Sequence, residues 1–100
     1  MFYIYILYSP SSDKYYIGYT NNYTRRIVEH NSSNRETYTS KHRPWVLKAV
    51  FECSNSEAAA ISIERYIKRQ KSRKLIEKMI TGESLTGILA QLVRVPHVRD

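Results

Sequence analysis

The first twenty residues hold two short runs of β-branched and aromatic side chains, residues 2–8 and 15–19, separated by Ser9-Pro10-Ser11-Ser12-Asp13-Lys14. Such runs favour strands and the hexapeptide between them is dense in turn formers, so the chain opens on a β-hairpin. Side chains alternate across a strand. Ile4 and Ile6 therefore share one face of the first strand and Tyr3 and Tyr5 the other, while Ile17 opposes Tyr16 and Gly18 in the second. With the isoleucines turned to a core, Tyr5 and Tyr16 line the opposite face together. The opening run lacks a basic leader and a small-residue cleavage site and is far too short to span a bilayer, which makes it a buried strand rather than an export signal.

Beyond the hairpin, Asn21 or Asn22 caps a helix through Tyr23, Arg26, Ile27 and His30, ended by the polar residues 31–33. Residues 31–44 are polar and basic and read as a loop, with Pro44 marking entry to a third strand over 45–51. Ser54 followed by Glu57 has capping-box spacing and opens a helix through Ala58, Ile61, Ile63, Glu64 and Ile67. Ser72 caps a third helix to Ile80 and Ser84 a fourth to about Leu92, with Gly82 ending the one before it. Pro96 and alternating charge mark residues 93–100 as a frayed, flexible tail. A chain of 100 residues with 42% hydrophobic content has room for one core, so residues 1–92 are expected to form one domain.

Charge points to the partner. Sixteen Lys and Arg against nine Asp and Glu leave a net +7, an excess that attracts polyanions, and nucleic acid comes first among them. Seven of the cations lie between Arg65 and Lys78. A lone Cys53 has no partner for an internal disulfide and three scattered histidines offer no structural zinc site, which fits a reducing cytoplasm.

Five residues stand out chemically. At 3.6 residues per turn, Glu64 falls about 40° from Ala60 and about 60° from Ile61 and Ile67, inside the apolar arc of its helix. A carboxylate there needs a partner: an ion pair with Lys68 or Arg65, or a metal ion that keeps most of its waters and takes a single carboxylate. Nine tyrosines crowd the chain, most of them suited to half-buried strands, with Tyr5 and Tyr16 as the candidates for chemistry. A phenol with an ordinary pKa near 10 is a poor base at neutral pH, so Tyr16 would need cations beside it, and Arg26 and a metal are the available ones. Arg26 presents a planar fork suited to phosphate, whereas Arg25 points roughly 100° away, towards solvent or a nucleic-acid backbone. His30, one turn beyond Arg26, either relays a proton or hydrogen-bonds the active phenol.

In this order the residues resemble the GIY-YIG nuclease superfamily. Tyr3-Ile4-Tyr5 stands for the first motif and Tyr16-Ile17-Gly18 for the second, followed by Arg26, His30 and Glu64 in the family's places. The resemblance covers about residues 2–80, and the stretch Tyr38-Thr39-Ser40-Lys41-His42-Arg43-Pro44-Trp45 with residues 83–92 is similar to the small, free-standing bacterial branch, the YhbQ-like proteins. It implies an α+β fold with a three-stranded antiparallel sheet flanked by helices. It also implies a metal-dependent endonuclease, in which one divalent ion, magnesium or manganese, is held by Glu64. Tyr16 is then the general base, Tyr5 positions water and phosphate, Arg26 stabilises the charged transition state and His30 assists the tyrosine. Arg25, Arg35, Lys41 and Arg43 are the expected nucleic-acid contacts, and the expected partner is DNA ahead of RNA, met by a monomer with no membrane and no organic cofactor. Two departures from the family pattern are Tyr3 in place of the first glycine and the lack of any Asn after Asn55. The competing reading is a non-catalytic nucleic-acid-binding module on the same fold, with Glu64 serving only an ion pair.

Overall fold

The computed structural model describes residues 1–32 and 37–96. Strand β1 (Phe2–Ser9) and strand β2 (Lys14–Thr20) form the expected hairpin, and β1 also pairs antiparallel with β3 (Val46–Ser54). Helix α1 (Tyr23–Ser32) lies between β2 and β3 in the chain, and α2 (Glu57–Gln70) and α3 (Arg73–Thr81) follow β3. The sheet has four strands in the order β2-β1-β3-β4, not three, because Val93–Arg94 adds a short strand β4 against Phe51 and Glu52.

This fourth strand takes up the first two residues of the stretch expected to be a tail, of which 97–100 lie outside the described residues. Arg94 fastens it: its guanidinium donates to the carbonyls of Met79 and Ile80 at 3.2 and 2.9 Å and sits 5.6 Å from the centroid of the Phe51 ring. Those carbonyls belong to the last turn of α3, where the Met79 carbonyl also accepts from the Gly82 cap N–H at 3.4 Å, and a cation is favoured at this end of a helix. Two residues are too few for alternation to be visible in a sequence.

Strand β1 is paired along both edges and helices pack over both of its faces, so Ile4, Tyr5, Ile6 and Leu7 are all buried. Ile4 and Ile6 join Ile17, Ala49 and Phe51 under Ala60, Ile63 and Ile67 of α2 and Met79 of α3. Tyr5 and Leu7 face the other way, with Val50, Trp45, Tyr16, and Tyr23 and Ile27 of α1. The alternation read from the hairpin thus separates two cores, one on each side of the sheet.

Three local expectations shift. Ser56, not Ser54, caps α2, accepting from the Ala59 N–H at 3.3 Å, while the Ser54 hydroxyl accepts from Ser56 itself. Glu57 is then in the first turn, and its carboxylate takes the Tyr19 hydroxyl at 3.1 Å instead of closing a capping box. The fourth helix is only a 3-10 turn, Gly87–Gln91, because Gly87 adopts φ +63, outside right-handed helix. Ser72 and Gly82 cap and end α3 as read, with Ser72 accepting from Leu75 at 3.1 Å. No helix among the described residues is long and apolar enough to cross a membrane.

Candidate active site

Of the two candidate caps for α1, Asn22 serves: its side chain accepts from the Arg25 N–H at 3.0 Å. That start sets the helix phase, packing Tyr23 and Ile27 against the sheet and bringing Arg26 and His30 to the cleft beside Tyr16. Asn31 fixes the other end. Its amide donates to the Trp45 carbonyl at 3.0 Å and accepts from the Trp45 N–H at 2.7 Å, in the manner of a strand partner. Trp45 in turn donates from its indole to the Thr39 carbonyl at 2.7 Å.

Tyr5 and His30 form the buried centre, only 2% and 4% exposed, joined through the phenol oxygen and Nε2 at 2.9 Å. Tyr5 pairs across the hairpin with Gly18, and a Cβ on Gly18 would collide with the Tyr5 ring, so the glycine is the floor on which that ring lies. Burial, and then the neighbouring Tyr16, push the Tyr5 phenol well above its ordinary range, against a smaller opposing pull from Arg26. Burial, and then the Arg26 charge, push His30 down to about 4. Both groups are therefore neutral at pH 7. The histidine expected to assist Tyr16 is bonded to Tyr5 instead, and meets Tyr16 ring to edge at 5.0 Å.

A histidine held neutral by folding makes stability depend on pH. Its folded value lies below the ordinary 6.5, so the contribution is complete above about 6.5 and is lost as pH falls towards 4. Linkage puts that loss on the order of 3 kcal/mol. His30→Gln should accordingly flatten the fall in melting temperature between pH 7 and 4.5 seen in the parent; parallel curves for the two proteins would show that His30 is not the titrating group.

Tyr16 is half-buried on the outer strand, at the crossing of several elements. Its ring lies 6.3 Å from Tyr5, 6.1 Å from Trp45 and 6.5 Å from Tyr38, with the Lys68 ammonium 5.2 Å from its centroid. Lys68 also pairs with Glu64 at 3.4 Å. Glu64 is thus linked to Tyr16 through one lysine, and its charge is also felt at Tyr5. A cleft of about 490 Å³ is lined by Tyr16, Arg26, Glu29, His30, Thr37, Tyr38 and Thr39, so Glu64 stands outside its lining.

The remaining cations divide. Arg26 pairs with Glu29 at 3.0 Å, its charge felt at both Tyr5 and His30, and Arg25 pairs with the same carboxylate at 3.7 Å. Lys41 is exposed on the 3-10 turn Thr39–His42. Arg43 is partly buried and donates from Nε to the His30 carbonyl at 2.7 Å, which makes it a brace for the centre rather than a residue spent wholly on a partner. Arg35 lies outside the described residues. Sequence reasoning missed Lys68 and Tyr38 as parts of the site. The only signal for Lys68 was its place one turn after Glu64, and for Tyr38 its place at the head of the stretch that resembles the small bacterial branch.

Among the described residues no group of three or more His, Cys, Asp or Glu could hold a metal. An all-protein cage therefore does not fit here. The donor set does fit a hydrated hard cation: Glu64 offers a carboxylate, only 16% exposed, of which Lys68 engages Oε1.

The model of the GIY-YIG catalytic domain matches residues 1–78. A UPF0213 protein of Haloquadratum walsbyi is 38% identical over 79 residues, which cover 76% of this chain and 86% of that one. A UPF0213 protein of Bacillus cereus is 38% identical over 73 residues, covering 73% and 75%. One from Bacillus licheniformis is 34% identical over 86 residues, covering 86% of each. The chain belongs to the GIY-YIG family, a family of endonucleases, and small UPF0213 proteins are its relatives.

Proposed function

We propose that this protein is a metal-dependent endonuclease that hydrolyses phosphodiester bonds of nucleic acid, DNA ahead of RNA. The observation that carries the reading is the convergence of Tyr5, Tyr16, Arg26 and His30 from β1, β2 and α1, with Glu64 tied to Tyr16 through Lys68. Arg26 is the phosphate clamp. Its pair with Glu29 is at the surface and worth under about 1 kcal/mol, so a phosphate can displace it. Tyr16 is the general base that takes the proton of the attacking water, with the Lys68 ammonium over its ring and Arg26 beside it in the cleft. Tyr5 is too deeply buried to touch water or phosphate and acts as a positioning residue, holding His30 in place. Glu64 would hold a divalent ion, magnesium or manganese, which when bound supplies Lewis-acid polarisation of the phosphate.

The second reading, a nucleic-acid binder without catalysis, is favoured by the Glu64–Lys68 ion pair, which already satisfies the carboxylate. Pure protein incubated with duplex, single-stranded, flapped and branched DNA and RNA, with magnesium, manganese or chelator, separates the two. Cleavage that requires the metal supports the enzyme; binding with no cleavage on any substrate supports the binder. Under either reading the net +7 should make affinity fall steeply with salt, as neutralised phosphates release counterions. An affinity unchanged between low and physiological salt would remove nucleic acid as the partner.

A further inference from the structure

A second groove of about 420 Å³ runs along the outer side of β2 and meets the cleft at Tyr16 and Tyr38, which line both. Its lining includes Lys14, Lys68, Lys71 and Arg73, against one carboxylate, Asp13. Arg73 is committed to Asp13 at 2.6 Å and to Glu77 at 3.3 Å, and Lys68 to Glu64. Lys14 and Lys71 are exposed. At the junction stands Tyr38, a large aromatic side chain left 50% exposed, its ring 6.5 Å from that of Tyr16 at an interplanar angle of 27° and 4.7 Å from that of His42.

From this juxtaposition we propose that the groove binds a single-stranded stretch of nucleic acid beside the scissile phosphate, with one unpaired base stacked on Tyr38 and the backbone on Lys14 and Lys71. The inference rests on the nuclease reading and deepens it by naming the substrate class. Three physical points support it. Exposed aromatic rings beside a positive track are the elements that hold a single strand without reading its sequence. A duplex base has its faces occupied by its stacked neighbours, so Tyr38 finds a free face only where pairing is broken. The shared lining makes the path continuous, so that a strand on the groove delivers its next phosphate to Tyr16 and Arg26.

The test is fluorescence anisotropy in chelator, using short labelled oligo-dT, oligo-U and a blunt DNA duplex of the same length, alongside metal-dependent nicking of that duplex and of one carrying a flap. The parent protein should prefer the single strands and the flapped substrate. Tyr38→Ala should weaken single-strand binding roughly 10-fold and duplex binding clearly less, and Tyr38→Phe should restore the single-strand affinity. Lys14→Gln with Lys71→Gln should reduce the salt slope for oligo-dT by about 1.4, the value for two lost phosphate contacts. Comparison of oligo-dT with oligo-U tells whether the strand is DNA or RNA. Equal losses on single strand and duplex in Tyr38→Ala, or parent binding that favours duplex, would overturn the groove while leaving nicking intact. Absence of both binding and nicking would instead bring down the nuclease reading on which it stands.

Discussion

Glu64→Gln should abolish metal-dependent nicking, with a loss on the order of 1,000-fold, while nucleic-acid binding is retained or improved. The amide keeps the size and polarity of the side chain but removes the charge that would hold a divalent ion. It also releases Lys68, which faces Tyr16 and gains freedom to meet phosphate. The lost ion pair joins neighbouring turns of one helix with Lys68 at the surface, so the fold should lose under about 1 kcal/mol. Tyr16→Phe in the same assay should fail as well, since only the hydroxyl is removed from a ring that otherwise keeps its packing. Nicking that persists in Glu64→Gln, or that ignores chelator, would refute the assignment. A Glu64→Gln protein that melts far below the parent would instead make the carboxylate structural.

The largest effect on the fold itself should come from the smallest side-chain addition. Gly18→Ala places a methyl inside the volume of the Tyr5 ring, and Tyr5 is boxed in beside Leu7 and Val50 with no solvent side to move to. Overpacking and the lost hydrogen bond to His30 together cost roughly 2–4 kcal/mol. For a domain of this size that is a drop in melting temperature of roughly 10–20 °C. Nicking should fall with it, because His30, which lines the cleft, loses the phenol it is bonded to. In a Tyr5→Leu background most of the cost of Gly18→Ala should vanish; additive losses would show that the glycine is needed for another reason.

These contacts also show where local sequence signals stop. The hairpin, its alternation and the capping of α3 are properties of neighbouring residues, and they were readable because each is set within a few positions. Ser54 and Glu57 mimicked a capping box because serines two apart compete for one helix start, and only the carbonyl and amide geometry selects Ser56. Gly87, three residues after Ser84, takes a positive φ and breaks the helix that a serine cap at 84 would open. The β4 pairing, the His30 choice of Tyr5 over Tyr16, and the meeting of Lys68 with Tyr16 each join residues far apart in the chain. No periodicity encodes such meetings; the packing of α1 on one face of the sheet and of α2 and α3 on the other decides them.

The central strand β1 gives Ile4 and Ile6 to one core and Tyr5 and Leu7 to the other. Local opening events spread through frayed ends and loops, and the segments that exchange their amides last are those buried on every side. Tyr5 sits in such a segment, hydrogen-bonded across to both β2 and β3. Tyr5 therefore has no partial melting route of its own: heat cannot loosen it without releasing both cores together, and the same strand that keeps the molecule folded keeps the hydrogen-bond partner of His30 in place.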